Sequence, residues 1–428
     1  ARAAPAPPDP TGAGTPPRVR NPHMDRLANT VRPYAWGSVT AIPALLGTEP
    51  TGEPQAELWM GAHPGAPSHV DRGAGPVGLN EVIAADPEAE LGPEAVRRFG
   101  DRLPFLLKVL AAQVPLSLQV HPDLEQARAG FADEERRGVP IDAPHRNYKD
   151  ANHKPELICA LTPFDGLCGF RPPAEAADLL AALDVDSLKP YVDILRAMPD
   201  TDALREVLTA VLSADREAMA ATVTEATEAA TRLAAAGGPH ADAYAAYATV
   251  ARAFPGDPGV IAGMLLNHVR LQPGEGLYLG AGVPHAYLSG LGVELMANSD
   301  NVLRCGLTPK HVDVPELLRI VRFESAPPGV LRPEADPDGA EVYATPIDEF
   351  RLSRYVLPAD AAPRPLPTGA PQLLLCTAGH ITLRGQGPTA PGAATELRLA
   401  QGESAYVPAP EAVELTGEGT LYRATLAL

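Results

Sequence analysis

The sequence predicts a mainly β protein with an α-helical insertion: two jelly-roll β-barrels plus a helical domain. Three observations carry this. Short aliphatic runs with Pro and Gly punctuation fill the chain to about residue 170 and return after about 259. Between them lie Ala- and Leu-rich stretches with helical spacing. One strand–turn–strand pattern also occurs twice, as LQPGEGLYLGAGVPHAYL from Leu271 and LAQGESAYVPAPEAVELT from Leu399. Aligned without gaps, Leu271 meets Leu399, Gly274-Glu275 meets Gly402-Glu403, Tyr278 meets Tyr406 and Ala281 meets Ala409. At the place of His285 stands Val413, so one barrel carries a polar site and the other an apolar residue.

Each element follows in order. Residues 1–24, rich in Pro, Ala and Gly with no apolar h-region, read as a disordered N-terminal extension and not as a secretory signal. Residues 25–171, with LPFLLKVL, PLSLQVH and PELICAL, form the first part of the barrel that carries the polar site. Residues 172–258 form the helical domain, from AEAADLLAALDV through TDALREVLTAVLSADREAMAATVTEATEAATRLAAA to ADAYAAYATVARAF. Residues 259–325 complete the first barrel. Residues 326–338 are a Pro-rich linker. Residues 339–428, with FRLSRYVL, QLLLCTAGHITLRG and GTLYRATLAL, alternate as a second barrel, the one with Val413 at the place of His285.

Composition excludes several function classes. A chain of 428 residues with 45% hydrophobic and 21% charged content can bury a sizeable core. A net charge of -18 opposes a general nucleic-acid or membrane-surface role, which needs a positive field. No apolar run reaches the roughly 18 residues of a membrane span. Cys159, Cys168, Cys305 and Cys376 form no C-x-x-C pair and read as reduced, buried thiols of a cytoplasmic protein. Lysine occurs only at 108, 149, 154, 189 and 310 in an Arg-rich chain, a hint that a compact ammonium is needed where one is kept.

The chemistry concentrates in three stretches. In LSLQVHPD, alternation puts Ser117, Gln119 and His121 on one face and Leu116, Leu118 and Val120 on the other. In YKDANHKPEL, Lys154 and Glu156 share a face if the chain is extended. HAYLSGLGVELMANSDNVLRCGLTPKH gathers His285, Glu294, Asp300, Arg304 and Lys310. Two imidazoles, a carboxylate and an amide oxygen (His121, His285, Glu156, Gln119) suit a borderline divalent ion such as Zn²⁺. Lys108, Lys154, Arg304 and Lys310, positive groups in an acidic chain, suit an anion, and Ser117 could donate to a phosphate oxygen. His63, His380 and His153 rank lower, and Trp36 and Trp59 fit core packing better than a pocket. There is no P-loop, dinucleotide fingerprint or nucleophile elbow.

YKDANHKPEL and HAYLSGLGVELMANSDNVLRCGLTPK closely resemble the two signature stretches of the type I mannose-6-phosphate isomerase (phosphomannose isomerase) family. LPFLLKVL, PLSLQVHPD, YAWGS and AELWMGAHP look like further family segments, so the resemblance spans roughly residues 25–325. Cys305 departs from the family, which usually has Ala there, and should alter packing and not chemistry. The resemblance implies a cupin-type enzyme with one zinc ion per chain on Gln119, His121, Glu156 and His285; a monomer is expected, though no residue pattern points to it. It places sugar-phosphate contacts on Ser117, Lys108 and Lys154, with Arg304 and Lys310 nearby. The implied reaction interconverts mannose 6-phosphate and fructose 6-phosphate through an enediol(ate), stabilised by Zn²⁺ as a Lewis acid and by Arg304. Glu294, Asp300, Lys154 and Lys310 are all candidates for the general base, and the sequence does not choose among them. Two rivals remain. An iron-dependent cupin oxygenase needs open metal positions, which a fourth protein ligand at Gln119 opposes. A non-catalytic sugar-phosphate-binding bicupin leaves the set of Lys154, Arg304 and metal ligands unexplained.

Overall fold

The computed structural model describes residues 24–386 and 396–428. The expected N-terminal extension lies outside the described residues except for Met24, which is buried. The protein is mainly sheet with helices. Among the described residues its two large sheets hold 11 and nine strands, whose pairings with one another are antiparallel.

The pairing path of the first sheet runs Val330–Leu331, Gly276–Leu279, Glu156–Ala160, His285–Ala297, Phe105–Ala112, Glu57–Met60, Thr30–Arg32. That of the second runs Asp25–Arg26, Ser404–Val407, Gln372–Gln386, Ala412–Thr425, Arg351–Leu357, Glu341–Tyr343, Glu334–Ala335. Position by position, the strands of the sequence repeat occupy the same places: Gly276–Leu279 matches Ser404–Val407, and His285–Ala297 matches Ala412–Thr425. The turns match too. Gly274 and Gly402 take φ values of 89° and 87°, where a side chain would be strained. Glu275 Oε1 accepts from Gln272 N and Glu403 Oε1 from Ala400 N, both at 2.8 Å. The G-E of the repeat is therefore one turn used twice.

Neither pairing path closes on itself. Each ends in strands of two or three residues, and no closed barrel is found among the described residues. The Asp25–Arg26 strand pairs in the second sheet, and Val330–Leu331, inside the expected linker, pairs in the first.

Alternation along the strands divides the first sheet into two faces. Leu107, Val109, Leu157, Cys159, Val293 and Leu295 pack in one core with Leu352, Leu373, Leu375, Tyr422 and Ala424 of the second sheet. The opposite face carries Lys108, Glu156, Glu294 and Met296 toward a cavity. All eight residues of Phe105–Ala112 are buried, and Lys108 is the only charge among them.

Helices occupy Pro173–Ala182, Lys189–Ala197, Asp200–Ser213, Arg216–Ala236, Ala241–Ala253 and Gly259–Met264. The long predicted helical run breaks at Ala214, because Asp215 caps a new helix by accepting from Ala218 N at 2.9 Å. The last helix extends past 258, so strand structure resumes only at Leu266. The helical core also takes Leu118, Val120 and Leu303 from beneath the cavity. Among the described residues no helix is long and apolar enough to cross a membrane, and all four cysteines are buried and unpaired.

Candidate metal centre and its cavity

Within LSLQVHPD, only Leu118–Val120 is strand. Leu118 and Val120 are buried in the helical core, while Ser117 and Gln119 face a cavity of about 730 Å³. Leu116, expected on the aliphatic side, lies on the cavity wall instead, because the alternation starts only with the strand at Leu118. Gln119 is the cross-strand partner of His285 on one side and of Arg304 on the other. Register alone thus sets an amide, an imidazole and a guanidinium in one row.

Lys108, Ser117, Gln119, Lys154, Glu156, His285, Glu294, Asp300, Arg304 and Lys310 all line this cavity. His121 is buried behind Glu156, its Nε2 2.5 Å from Glu156 Oε1. His121, Glu156 and His285 bring one ligand atom each within 4.8 Å of one another. No other such group of His, Cys, Asp and Glu occurs among the described residues, and Val413 in the second sheet is buried in an apolar core.

These residues fit a metal ion. His121 Nδ1 faces the Asn301 carbonyl and His285 Nδ1 the Val283 carbonyl, each at 2.9 Å. A carbonyl only accepts, so both Nδ1 atoms carry a proton, which leaves Nε2 as the atom each ring can offer a cation. His121 Nε2 is buried, lies 2.5 Å from Glu156 Oε1 and makes no hydrogen bond of good geometry. An imidazole nitrogen and a carboxylate this close, with no good hydrogen bond between them, suit a shared cation. Gln119 Nε2 donates to Ser117 Oγ at 3.1 Å, which leaves its amide oxygen for a cation. Burial, then the neighbouring His121, pulls the His285 pKa down to about 4, so its ring is neutral at pH 7. Burial pushes the Glu156 carboxyl up, but His121, Lys154 and His285 outweigh it and hold it well below its ordinary value.

A polar chain runs from this cluster. Tyr287 OH lies 3.3 Å from Glu156 Oε2 and donates to Glu294 Oε2 at 2.6 Å. Lys108 Nζ lies 3.9 Å from Glu294 Oε1, 3.5 Å from Glu57 Oε1 and 4.6 Å from the Trp59 ring centroid. Trp59 Nε1 donates to Glu57 Oε1 at 2.9 Å. Burial opposes the Lys108 charge, but Glu57, Glu294 and Glu156 outweigh it and raise its pKa. Burial, then Glu156, pushes the Glu294 carboxyl up to about 8. Asp300 is different: exposed, tied to His63 Nε2 at 3.3 Å, and lowered by that hydrogen bond. Lys154, Arg304 and Lys310 have no salt-bridge partner among the described residues, and burial lowers the Arg304 pKa.

Sequence reasoning missed Glu57, Tyr287 and Asn301 and ranked Trp59 as core. Trp36 and Trp59 both line the cavity. Glu57 and Trp59 carried the same signal as Gln119 and His121, alternate residues of one apolar strand. Tyr287 stands two residues after His285 on one strand.

The chain is similar to known proteins over nearly its whole length. Residues 24–173 match the family described as phosphomannose isomerase type I, catalytic domain. The chain is 40% identical over 405 residues to mannose-6-phosphate isomerase of Escherichia coli, covering 94% of this chain and 99% of that protein. It is 30% identical over 419 residues to mannose-6-phosphate isomerase of Homo sapiens, covering 92% and 95%. A crystal structure of a phosphomannose isomerase variant from Salmonella typhimurium superposes with a TM-score of 0.86 at 37% identity, covering 95% of this chain and 100% of that one. A crystal structure of mannose 6-phosphate isomerase bound with zinc and yttrium superposes at 0.84 with 37% identity, with the same coverage.

Proposed function

The chain belongs to the type I phosphomannose isomerase family, and from that premise we propose that it interconverts mannose 6-phosphate and fructose 6-phosphate through an enediol(ate), with one zinc ion per chain. The observation that carries this reading is one cavity lined both by Glu156 and His285 of the three-residue cluster and by three cations without salt-bridge partners among the described residues, Lys154, Arg304 and Lys310. We read the two sheets as a metal-bearing and a metal-free cupin unit.

Gln119, His121, Glu156 and His285 would hold the ion. When bound, it supplies Lewis-acid charge next to the sugar oxygens. Ser117, Lys108, Lys154 and Lys310 bind and orient the substrate, and the phosphate, remote from C1 and C2, supplies much of the binding energy. Arg304 places a fixed positive charge beside Gln119, where negative charge develops on oxygen. Of the candidate bases, Glu294 fits best. It is buried, faces the cavity and is held between Tyr287 OH and Lys108. A carboxyl near neutrality can take the C2 proton and return it to C1.

The test is formation of fructose 6-phosphate from mannose 6-phosphate by the purified chain, before chelation, after it, and with zinc restored. Turnover should vanish and return. Folded, zinc-loaded protein that does not turn over would overturn the reading.

A further inference from the structure

Asp257 lies outside every signature stretch, in the turn between the helices Ala241–Ala253 and Gly259–Met264. Its side chain reaches across to the loop after the Leu303–Gly306 strand. Oδ1 accepts from Gly259 N at 2.7 Å and from Leu307 N at 3.1 Å, and Oδ2 accepts from Thr308 N at 3.1 Å. One carboxylate therefore clamps a helix start to two consecutive amides of a loop.

That loop needs a clamp. Leu307 has a φ of 56°, and it and Asp184 are the only non-glycine residues with positive φ among the described residues. A leucine in this region is strained and persists only where the surroundings over-determine it. Two features do so. The Leu307 side chain is 1% exposed and packed in the helical core. Beside it Gly306 crosses Gly259 so closely that a Cβ on Gly306 would lie 2.5 Å from Gly259 Cα. The twisted backbone delivers Thr308, Pro309 and Lys310 to the cavity wall, together with Phe254 from just before Asp257. Thr308 Oγ1 then accepts from Lys310 N at 3.0 Å, closing the loop on itself.

We infer that Asp257 is a positioning residue: through Leu307 and Thr308 it sets where Lys310 stands in the cavity, and so couples the helical segment to phosphate binding. This rests on the proposed phosphosugar reading. Asp257 touches no substrate and moves no proton. Its loss should weaken binding of the phosphate group and leave the proton-transfer machinery intact.

The experiment compares wild type, Asp257→Asn, Lys310→Ala and the double variant, all zinc-loaded. Asp257→Asn keeps size but presents N–H groups where Thr308 N–H needs an acceptor. Its KM for mannose 6-phosphate should rise about tenfold with kcat within about threefold, and the Kd for inorganic phosphate should rise in parallel. In the Lys310→Ala background the same change should add less than twofold, because the group it positions is gone. Equal factors in both backgrounds, or a fall in kcat at unchanged KM, would overturn the inference. Asp257→Glu, which keeps the charge but overshoots the amides, is the second variant should Asp257→Asn not fold, and the same split is expected. Wild type that binds phosphate but does not isomerise would sink the proposed function alone, and the phosphate Kd series would still decide the role of Asp257.

Discussion

A single buried amide, Asn301, decides what His121 can do. Its carbonyl accepts from His121 Nδ1, its Oδ1 accepts from Lys149 N at 2.7 Å, and its Nδ2 donates to the Asp150 and Asn152 carbonyls at 2.8 and 2.9 Å. The side chain thus ties the YKDANHKPEL segment to the chain that leads into the Leu303–Gly306 strand. Asn301→Ala keeps the carbonyl but frees it to drift, and it strands several amide and carbonyl groups. Zinc affinity should fall by roughly 10- to 100-fold, with a stability loss of about 1–3 kcal/mol. Chelator competition and thermal unfolding would measure both, and unchanged affinity would count against this role. Arg304 acts differently. Arg304→Ala should retain zinc and lose roughly 10²–10³ in kcat; steady-state kinetics on metal-quantified protein checks this, and normal kcat would remove Arg304 from the mechanism. The residue types of the candidate cluster were legible because polar residues alternate through an apolar run. Asn301 was not, because its work is done by a backbone carbonyl and by bonds to a distant segment.

At the scale of elements, the helix Leu124–Arg136 begins directly after the His121-Pro122 pair with a capping box. Asp123 Oδ1 accepts from Gln126 N at 2.7 Å, and Gln126 Oε1 accepts from Asp123 N at 2.9 Å. His121, however, is held by Asn301 and not by this helix. Asp123→Ala should therefore cost about 1 kcal/mol of stability, read as a lower urea midpoint at unchanged slope, while zinc affinity stays within about twofold. A large loss of affinity would show that the cap, and not Asn301, orients the ligand. The helical stretch between Pro173 and Ala253 was legible as a block from its Ala- and Leu-rich spacing. Its internal break at Ala214 was not singled out, although Asp215 is an N-cap residue type. The sheet edges were hidden for another reason. Strands such as Asp25–Arg26 and Val330–Leu331 hold only two residues, and so show no periodicity at all.

Across the whole molecule, the repeat hinted at two similar sheets, but pattern alone did not show how they are joined. They share one apolar core, and polar contacts stitch it: Cys159 Sγ meets Tyr343 OH at 3.1 Å, and Tyr343 OH donates to the Gly274 carbonyl at 2.7 Å. The chain also crosses between them at both ends of the first sheet's sequence, since Asp25–Arg26 pairs with Ser404–Val407 and Val330–Leu331 returns to Gly276–Leu279. Two sheets so interleaved should unfold together. The chain offers a direct probe, because its two tryptophans, Trp36 and Trp59, both line the cavity. Leu383 lies in a separate core of the second sheet and is 0% exposed. Leu383→Ala should destabilise by about 2–5 kcal/mol through the lost contacts and the cavity left behind. If the sheets form one cooperative unit, the tryptophan-fluorescence midpoint in urea falls as far as the circular-dichroism midpoint. A fluorescence midpoint that stays at the wild-type value while circular dichroism splits into two transitions would mean that the second sheet melts alone, and that the metal site does not depend on it.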